Sequence, residues 1–463
     1  MADSCKGTEE GADVASRELR VAIVGSGPSG IYAADALTAQ EAVPVSVDII
    51  DRLPVPFGLV RYGVAPDHFS IRSVRGTLEK VLDRDTVRFV GNVAVGEDVS
   101  LADLRNAYDA VVLTYGAARD RRLGVPGEDL PGSVAATDLV NWYCGHPDAL
   151  RDEIEAEVSS ATTAVVIGVG NVAVDVVRVL AKAPAELEAT DMPQHVLDLL
   201  AADNITDIYL VGRRGPVQAT FTTKELRELG ELSDAEVMVA QADVELDPFS
   251  AATVESDRLA ARNVEVIREW STRTTEGKRR RIHVCFFTKP VEILGSDHVS
   301  GIVLERTALD ASGGLVSTGE TFTVSCDLVV RSVGYRGVGL DDAPFDSDRA
   351  VVPNDVGRVL NGGAPVAGLY VAGWIKRGPS GIIGTNKKDA AETVQSLLAD
   401  APSMLSGANR PGIDGLLPAG HQVVHIDGWR SVDAGERTAG AARGRERTTE
   451  HDRVRLLDLA AGR

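Results

Sequence analysis

Two strand, glycine-turn, helix units and a pair of apolar strands bracketing the second predict an α/β fold of two Rossmann-like dinucleotide-binding domains, the second inserted into a split first. The first unit is the run RVAIV at residues 20–24, a glycine turn at 25–30 and the Ala-rich stretch IYAADALTA. The second is AVVIG at 164–168, a turn reaching Ala173 and the helix-like VDVVRVLAK. The bracketing strands, AVVLTYGA at 110–117 and LVVRSVGY at 328–335, both end near glycine and read as the two crossings between an outer and an inner domain. At about 150 residues per domain, 463 residues suffice for two or three. The boundaries that follow are a disordered tail over 1–18, the outer domain over 19–118, the inserted domain over 119–331, and the return of the outer domain with a C-terminal extension over 332–463.

In the first unit Gly25 permits the tight turn, Gly27 lets a pyrophosphate approach the backbone, and Gly30 lets helix and strand pack closely, while the helix N-terminus attracts phosphate charge. A second β-rich run, VSVDII, ends in Asp51, 21 residues after Gly30, where an acceptor for ribose hydroxyls belongs. The fingerprint alone leaves FAD and NAD(P) both open.

The second unit has Gly168 and Gly170, then Asn171, Val172 and Ala173, with Ala where close packing tolerates a methyl group. The next strand, ITDIYLVG, ends in Arg213 and Arg214. Two cations in place of the carboxylate suit a 2′-phosphate and point to NADP. The alternative is a surface pair salt-bridged to nearby acids. Ala173 and Arg213 are 40 residues apart, about twice the usual spacing. An insertion around 182–203, containing Pro184 and Pro193, accounts for the difference.

Near the C-terminal side the strand LYVAG leads into Trp374 and then IKRGPSGIIGTNKKDAAETVQSLL, a glycine-rich turn opening a helix. Backbone N–H groups there suit the negative charge that develops on a reduced flavin; an ordinary loop with a packing Trp is the plain alternative.

Composition narrows the chemistry. The net charge of −20 repels nucleic acid and anionic membranes. No apolar run approaches the ~20 residues of a membrane span. The acidic N-terminus has neither a signal-peptide core nor a transit peptide's Arg-rich character, so the expected location is cytoplasmic. Cys5, Cys144, Cys285 and Cys326 form no CxxC, which removes zinc, iron–sulfur and dithiol spacings and leaves redox chemistry to a bound organic cofactor. No metal is expected.

The strings VAIVGSGPSG, PFGLVRYGVAPDH, GEDLPGS, GVGNVAVDVVR, VGRRGP, FTTKELRE, VVRSVGYRG and GWIKRGPSGIIGTNKKDA resemble those of ferredoxin:NADP reductases of the adrenodoxin-reductase type, the mycobacterial form in particular. They run through residues 20–395 in the family's order, and the stretch containing DGWRSVDAGERTAGAARGRER is similar too. Beyond Gly25 and Gly27, the resemblance implies FAD contacts at Gly30, Asp51, Leu59, Val95, Trp374, Gly381, Ile382 and Ile383. Beyond Gly168 and Gly170, it implies NADP contacts at Arg121, Asn171, Val172, Ala173, Val174, Arg213, Arg214, Glu225 and Gly381. The family usually has Glu where Asp51 stands and Pro where Phe69 stands. His68 and Glu228 match a pair placed near the nicotinamide and flavin, with a proton-handling role; read alone, they are a hydrogen-bonded loop His and a solvated helix Glu.

What the resemblance implies is hydride transfer from NADPH to FAD, then single electrons to a ferredoxin-type iron–sulfur protein bound through basic residues. Lys278, Arg279, Arg280 and Arg281 are the densest basic run and, with Arg258 and Arg262, the candidate docking patch; a solvated basic loop is the other reading. A flavoprotein subunit of a larger enzyme, such as a glutamate-synthase-like small subunit, is disfavoured because only Cys5 precedes Cys144 where that family carries a cysteine-rich cluster region. A non-catalytic nucleotide-binding redox sensor is the remaining alternative.

Overall fold

The computed structural model describes residues 17–381 and 383–463. Leu19–Val24 (β1), Val45–Asp51 (β2), Val87–Gly91 (β3) and Ala110–Leu113 (β4) join three strands from much later in the chain, Asn354–Asp355 (β16), Arg358–Asn361 (β17) and Ala364–Val371 (β18). Together they form a seven-stranded sheet ordered β16-β17-β18-β4-β1-β2-β3. The intervening chain supplies a six-stranded sheet from Ser133–Ala135 (β6), Thr163–Ile167 (β7), Asp207–Val211 (β8), Ala235–Val239 (β9), Arg280–Cys285 (β10) and Leu328–Arg331 (β14), ordered β6-β14-β7-β8-β10-β9. All pairings in the second sheet are parallel, and β1, β2, β3, β4 and β18 are parallel in the first.

Strands such as AVVL and TAVVI are apolar throughout because helices cover both faces of such sheets. Pro28–Thr38 (α1) follows β1 with Pro at its first position, where no intrahelical N–H is needed, and it packs against the long helix Ile383–Leu405 (α5). Asn171–Ala181 (α2) follows β7 in the same way. The wide spacing before Arg213 is taken up by two extra helices, Pro184–Leu187 and Gln194–Ala202. Thr223–Leu229 (α3) and Arg258–Thr272 (α4) complete this half. The chain passes between the sheets twice, at Arg119–Asp120 (β5) and Tyr335–Arg336 (β15), and these crossings pair antiparallel side by side. Thr288–Gly295 (β11), Val299–Leu309 (β12) and Leu315–Val324 (β13) form a three-stranded antiparallel sheet that the sequence pattern did not reveal.

The penultimate described helix, Ile426–Ala441 (α6), packs Trp429 edge-on against Phe57, with ring centroids 5.5 Å apart, and the buried Glu436 accepts hydrogen bonds from the buried Arg61. Residues 1–16, Cys5 among them, lie outside the described residues. The expected tail to residue 18 is too long: Arg17 donates twice to Asp109 at 2.8 Å and anchors the chain ahead of β1. Cys144, Cys285 and Cys326 are unbridged. Burial pushes the Cys144 and Cys326 thiols up to about 12 and Cys285 up to about 11, so they stay protonated.

The basic run needs correction. Arg280 is not a docking residue: its side chain is 1% exposed, and Nη2 donates to both carboxylate oxygens of buried Asp203 at 3.0 and 2.9 Å. Strand alternation explains this, because Arg280 shares the inward face of β10 with Ile282 and Val284 while Arg281 points out. Arg281 pairs with Asp207, Arg279 donates to the Asp203 carbonyl and Lys278 to the Leu232 carbonyl. The run also begins β10, at the opposite end of the parallel sheet from the carboxyl ends where nucleotides bind.

Arg280→Ala leaves the buried Asp203 charge with only the more distant Arg279 guanidinium at 3.9 Å and the Ile205 N–H, with an expected loss of about 2 to 4 kcal/mol, whereas exposed Arg281→Ala should cost less than about 1 kcal/mol. Urea unfolding followed by tryptophan fluorescence measures both; equal losses would contradict the buried-strut assignment.

Candidate functional site

Gly25 ends β1 with φ +109°, and a Cβ there would stand 2.9 Å from the Thr114 carbonyl. At Gly30 a Cβ would overlap the Gly25 carbonyl oxygen, so helix and turn meet without room for a methyl group. Gly27, at the N-cap of α1, has nothing within 4 Å of such a Cβ, so its backbone is open to approach. Asp51, the last residue of β2, folds back onto this turn: one oxygen accepts from Ser26 N at 2.7 Å and Ser26 Oγ at 2.6 Å, the other from Leu53 N at 2.9 Å.

The C-terminal turn closes over the same place. Asn386, in the first turns of α5, accepts from Ser29 Oγ at 3.0 Å and from Arg377 Nη2 at 2.8 Å, which brings the starts of α1 and α5 together. Arg377 Nε and Nη1 are buried with no hydrogen-bond partner. A buried donor without an acceptor costs about 1 to 3 kcal/mol, and an anionic group beside the open Gly27 backbone would relieve it. The cradle therefore fits a phosphate-bearing dinucleotide. Trp374 stacks on Tyr335 with ring centroids 5.5 Å apart, Gly381 turns with φ +83°, and Ile383 opens α5 half-buried. Leu59 begins a short helical turn, 42% exposed, and Val95 is half-buried against the outer sheet's core. Ile382 lies outside the described residues.

The second cradle repeats the design. Gly168 has φ +131°, and a Cβ there would overlap the Ser332 carbonyl oxygen at the end of β14. Gly170 is the N-cap of α2, Val172 is half-buried, and Ala173 and Val174 are buried. Asn171 Oδ1 accepts from Thr222 N at 3.1 Å, tying the turn to the capping box in which Thr222 and Glu225 start α3. Arg213 and Arg214 follow β8, both exposed, and neither guanidinium has a hydrogen-bond or ion-pair partner among the described residues. The salt-bridged alternative is therefore not what the structure shows. Arg121, also exposed, lies on the crossing, its N–H on the Gly334 carbonyl at 2.8 Å and Nε on the Tyr335 carbonyl at 3.3 Å.

Between the cradles the two halves interlock. The loop after the first unit brings Asp67 and His68 against α2. His68, buried, is hydrogen-bonded through Nε2 to Asp175 Oδ1 at 2.9 Å. Arg178, one turn further along α2 and fully buried, pairs with Asp67 at 2.8 Å and with Asp175 at 2.9 Å, and Lys182 reaches Asp67 at 2.8 Å. Burial pushes the Asp67 carboxyl up, but hydrogen bonds and charge from Arg178 and Lys182 outweigh it and hold it well below the usual carboxylate range. Glu225 is buried beside this group; desolvation and the neighbouring Asp175 carboxylate raise its pKa. Atoms of His68, Asp175 and Glu225 converge within 4.8 Å, a spacing open to a cation, but the Arg178 guanidinium already engages Asp175. Glu228 lies one turn beyond Glu225, 4.0 Å from Arg178, so it is linked to His68 through Arg178 and Asp175.

The sequence reading missed Asp175 and Arg178. Both were legible as charged residues four and seven positions after Asn171, on the face of α2 that follows the glycine turn. Of the docking candidates, Arg258 and Arg262 are exposed on the first turns of α4 and unpaired among the described residues. They are separated from the 278–281 run by most of the helix.

Residues 19–379 match the family model described as pyridine nucleotide-disulphide oxidoreductase. The chain is 42% identical over 464 residues to NADPH-ferredoxin reductase FprA of Mycobacterium tuberculosis, covering 96% of this chain and all of that one. It is 40% identical to the mitochondrial NADPH:adrenodoxin oxidoreductase of Arabidopsis thaliana, with 94% of each chain covered. The solved structure of Mycobacterium tuberculosis FprA in complex with NADPH superposes with a TM-score of 0.90 at 41% identity, covering 96% of this chain and 100% of that one.

Asp67 gives the interlock a definite pH dependence. Its folded pKa is depressed, so its stabilisation is fully present above the unfolded carboxylate value of about 3.9, begins to decline below it, and is lost only as pH falls through the much lower folded value. Asp67→Asn should cost about 2 to 4 kcal/mol at pH 7, and its gap to the parent should narrow by about a third at pH 3, closing only at still lower pH. Urea midpoints at the two pH values measure this; a gap independent of pH would exclude the charge as its source.

Proposed function

The chain belongs to the pyridine nucleotide-disulphide oxidoreductase family, and from that premise we infer that it is an FAD-containing NADPH:ferredoxin oxidoreductase. FAD, when bound, would supply the redox chemistry, accepting a hydride from NADPH and passing electrons singly to a ferredoxin-type iron–sulfur protein. The observation that carries this reading is the interlock: Asp67 and His68 from the first cradle lie directly on α2 of the second, so the two nucleotides meet rather than occupy separate sites.

The chain's own part is binding, alignment and electrostatics. Gly25, Gly27 and Gly30 admit the FAD pyrophosphate, Arg377 supplies its buried donors, and Asp51 stands where the ribose hydroxyls belong. Gly168, Gly170 and the start of α2 repeat this for NADP, with Arg213 and Arg214 free for its 2′-phosphate. His68, held by Asp175, and Glu225 frame the buried space between the cradles; the stacked Tyr335 and Trp374 rings link the crossing to the FAD side. In this reading His68 can hold or pass a proton, and Glu228 acts on it through Arg178.

The partner reading shifts with the corrected run. Arg258 and Arg262 lie beside the 216–218 turn that follows Arg214, with Val217 packed on Ala260 and Val264. They put unpaired positive charge at the nucleotide edge, suited to steering an acidic protein there. The division into an outer domain at 19–118 and 332–463 around an inner one at 119–331 belongs to this reading and is supported by the strand membership of the two sheets. No described helix is long and apolar enough to cross a membrane, and a cytoplasmic location is part of the same proposal.

The purified protein should be yellow, with one non-covalent FAD per chain, bleach on anaerobic NADPH addition, and reduce ferredoxins. A folded, colourless preparation that takes up no FAD would overturn the assignment. Asp51→Ala should weaken FAD retention by about 1 to 3 kcal/mol in a dialysis assay. Replacing Arg213 and Arg214 together by Ala should raise KM for NADPH roughly 30- to 700-fold, from about 2 to 4 kcal/mol of lost phosphate contacts, and leave NADH use nearly unaltered. Retained NADPH preference would make Arg121 the next residue to test.

A further inference from the structure

The three-stranded sheet β11-β12-β13 contributes no strand to either nucleotide sheet, yet Thr307 of β12 and Phe287, just ahead of β11, bond the backbone carbonyls of Arg213 and Arg214. β10 ends at Cys285 and β11 begins at Thr288, so Phe286 and Phe287 form the corner between the two sheets. Phe287 has φ +47°, a left-handed conformation that is a marked outlier for an aromatic residue and tends to occur where the surroundings enforce it for function.

That conformation turns the Phe287 N–H onto the Arg214 carbonyl at 3.1 Å. Gly212 N donates to the Cys285 carbonyl at 2.8 Å, Thr288 N donates to the Gly212 carbonyl at 2.9 Å, and Thr307 Oγ1, from β12, donates to the Arg213 carbonyl at 2.8 Å. The para end of the Phe287 ring lies close against Gly215, where a Cβ would strike Cζ. The corner is braced in turn: Asp243 accepts from Phe286 N at 3.0 Å and from Arg306 at 3.1 Å, and Arg306 also donates to the Phe286 carbonyl at 3.3 Å. Every inward-facing polar group of residues 212–214 named here is thus satisfied, while both guanidiniums remain unpartnered.

We propose that Phe287, with Thr307 behind it, is the positioning residue for NADP selectivity: the strained corner and the antiparallel sheet hold the Arg213–Arg214 turn ready for a 2′-phosphate before the nucleotide arrives. Preorganisation of this kind strengthens binding by reducing the ordering cost at the moment of contact. The inference rests on the reading of that turn as the NADP phosphate site. Strain at Phe287 is offset by the hydrogen bonds it makes possible, and its benefit falls on one phosphate rather than on the whole nucleotide.

The test compares adenosine 2′,5′-bisphosphate with adenosine 5′-monophosphate by calorimetry on the FAD-loaded protein. Phe287→Ala and Phe287→Gly should weaken the bisphosphate about tenfold, equivalent to about 1.4 kcal/mol, and the monophosphate less than twofold. The alanine variant keeps the left-handed backbone strained and loses only the ring, whereas the glycine variant relieves the strain as well, so equal losses in the two assign the effect to the ring and not to the strain itself. Phe287→Tyr should restore the parent values. Thr307→Val, a near-isosteric change, should shift the bisphosphate alone and in the same direction, and it decides the question if neither small variant retains FAD. Equal weakening of both probes, or no change in either, overturns the proposal. A parent protein that binds the two probes equally overturns the NADP phosphate site itself, and this inference with it.

Discussion

One buried guanidinium determines how the two halves of this molecule stand to each other. Arg178 lies fully buried in a mostly apolar helix and answers Asp67 from the outer half and Asp175 from its own helix. A charge in that position is tolerable only while both carboxylates are in place. Because Asp67 and His68 are adjacent, the same contact that neutralises Arg178 also seats His68 on Asp175. Packing, charge balance and the placement of the central histidine are therefore one constraint, and a shift of α2 against the outer half would disturb all three.

The two cradles attached to this interlock share a backbone solution but differ in the chemistry beyond it. In each, a glycine with positive φ ends a strand against a carbonyl of a neighbouring strand's end, Thr114 in one and Ser332 in the other. Past the turn, the first places a carboxylate at the end of its second strand and the second places two arginines. In the proposed function the turns admit a pyrophosphate, and the residue at the next strand end selects the ribose.

Most of this architecture was legible in the sequence, because a glycine turn is a local device and its signature lies within a few residues. Features that depend on distant contacts were not. Arg280 sits in a row of four basic residues, and the row suggested a solvent-facing patch; only its parity with Ile282 and Val284 marks it as inward. Asp203, its partner, is 77 residues away and carries no signal of the pairing. The antiparallel sheet escaped notice for a similar reason: β13 is mostly exposed, so TKPVEILG and LVSTGETFTV lack the buried alternation that announces a strand. Phe287 was invisible, since no side-chain pattern reports a left-handed backbone at an aromatic residue.

The charge balance gives meaning to the arginines that stay free. With 68 acidic against 48 basic residues, a carboxylate is seldom far from a surface cation, and many arginines here have one. Arg84 finds Asp35, Arg281 finds Asp207 and Arg430 finds Asp83 and Asp427. Arg213 and Arg214, adjacent to one another, have none among the described residues although their backbone is fastened from several sides. Like charges held side by side repel, and an acidic chain could relieve them with one substitution nearby. Among the described residues the turn is instead fastened and the pair left unneutralised, which is the charge state the proposed 2′-phosphate would answer. The same reasoning separates Arg258 and Arg262, unpaired among the described residues beside the turn after Arg214, from the 278–281 run, whose members are already engaged by nearby acids or carbonyls.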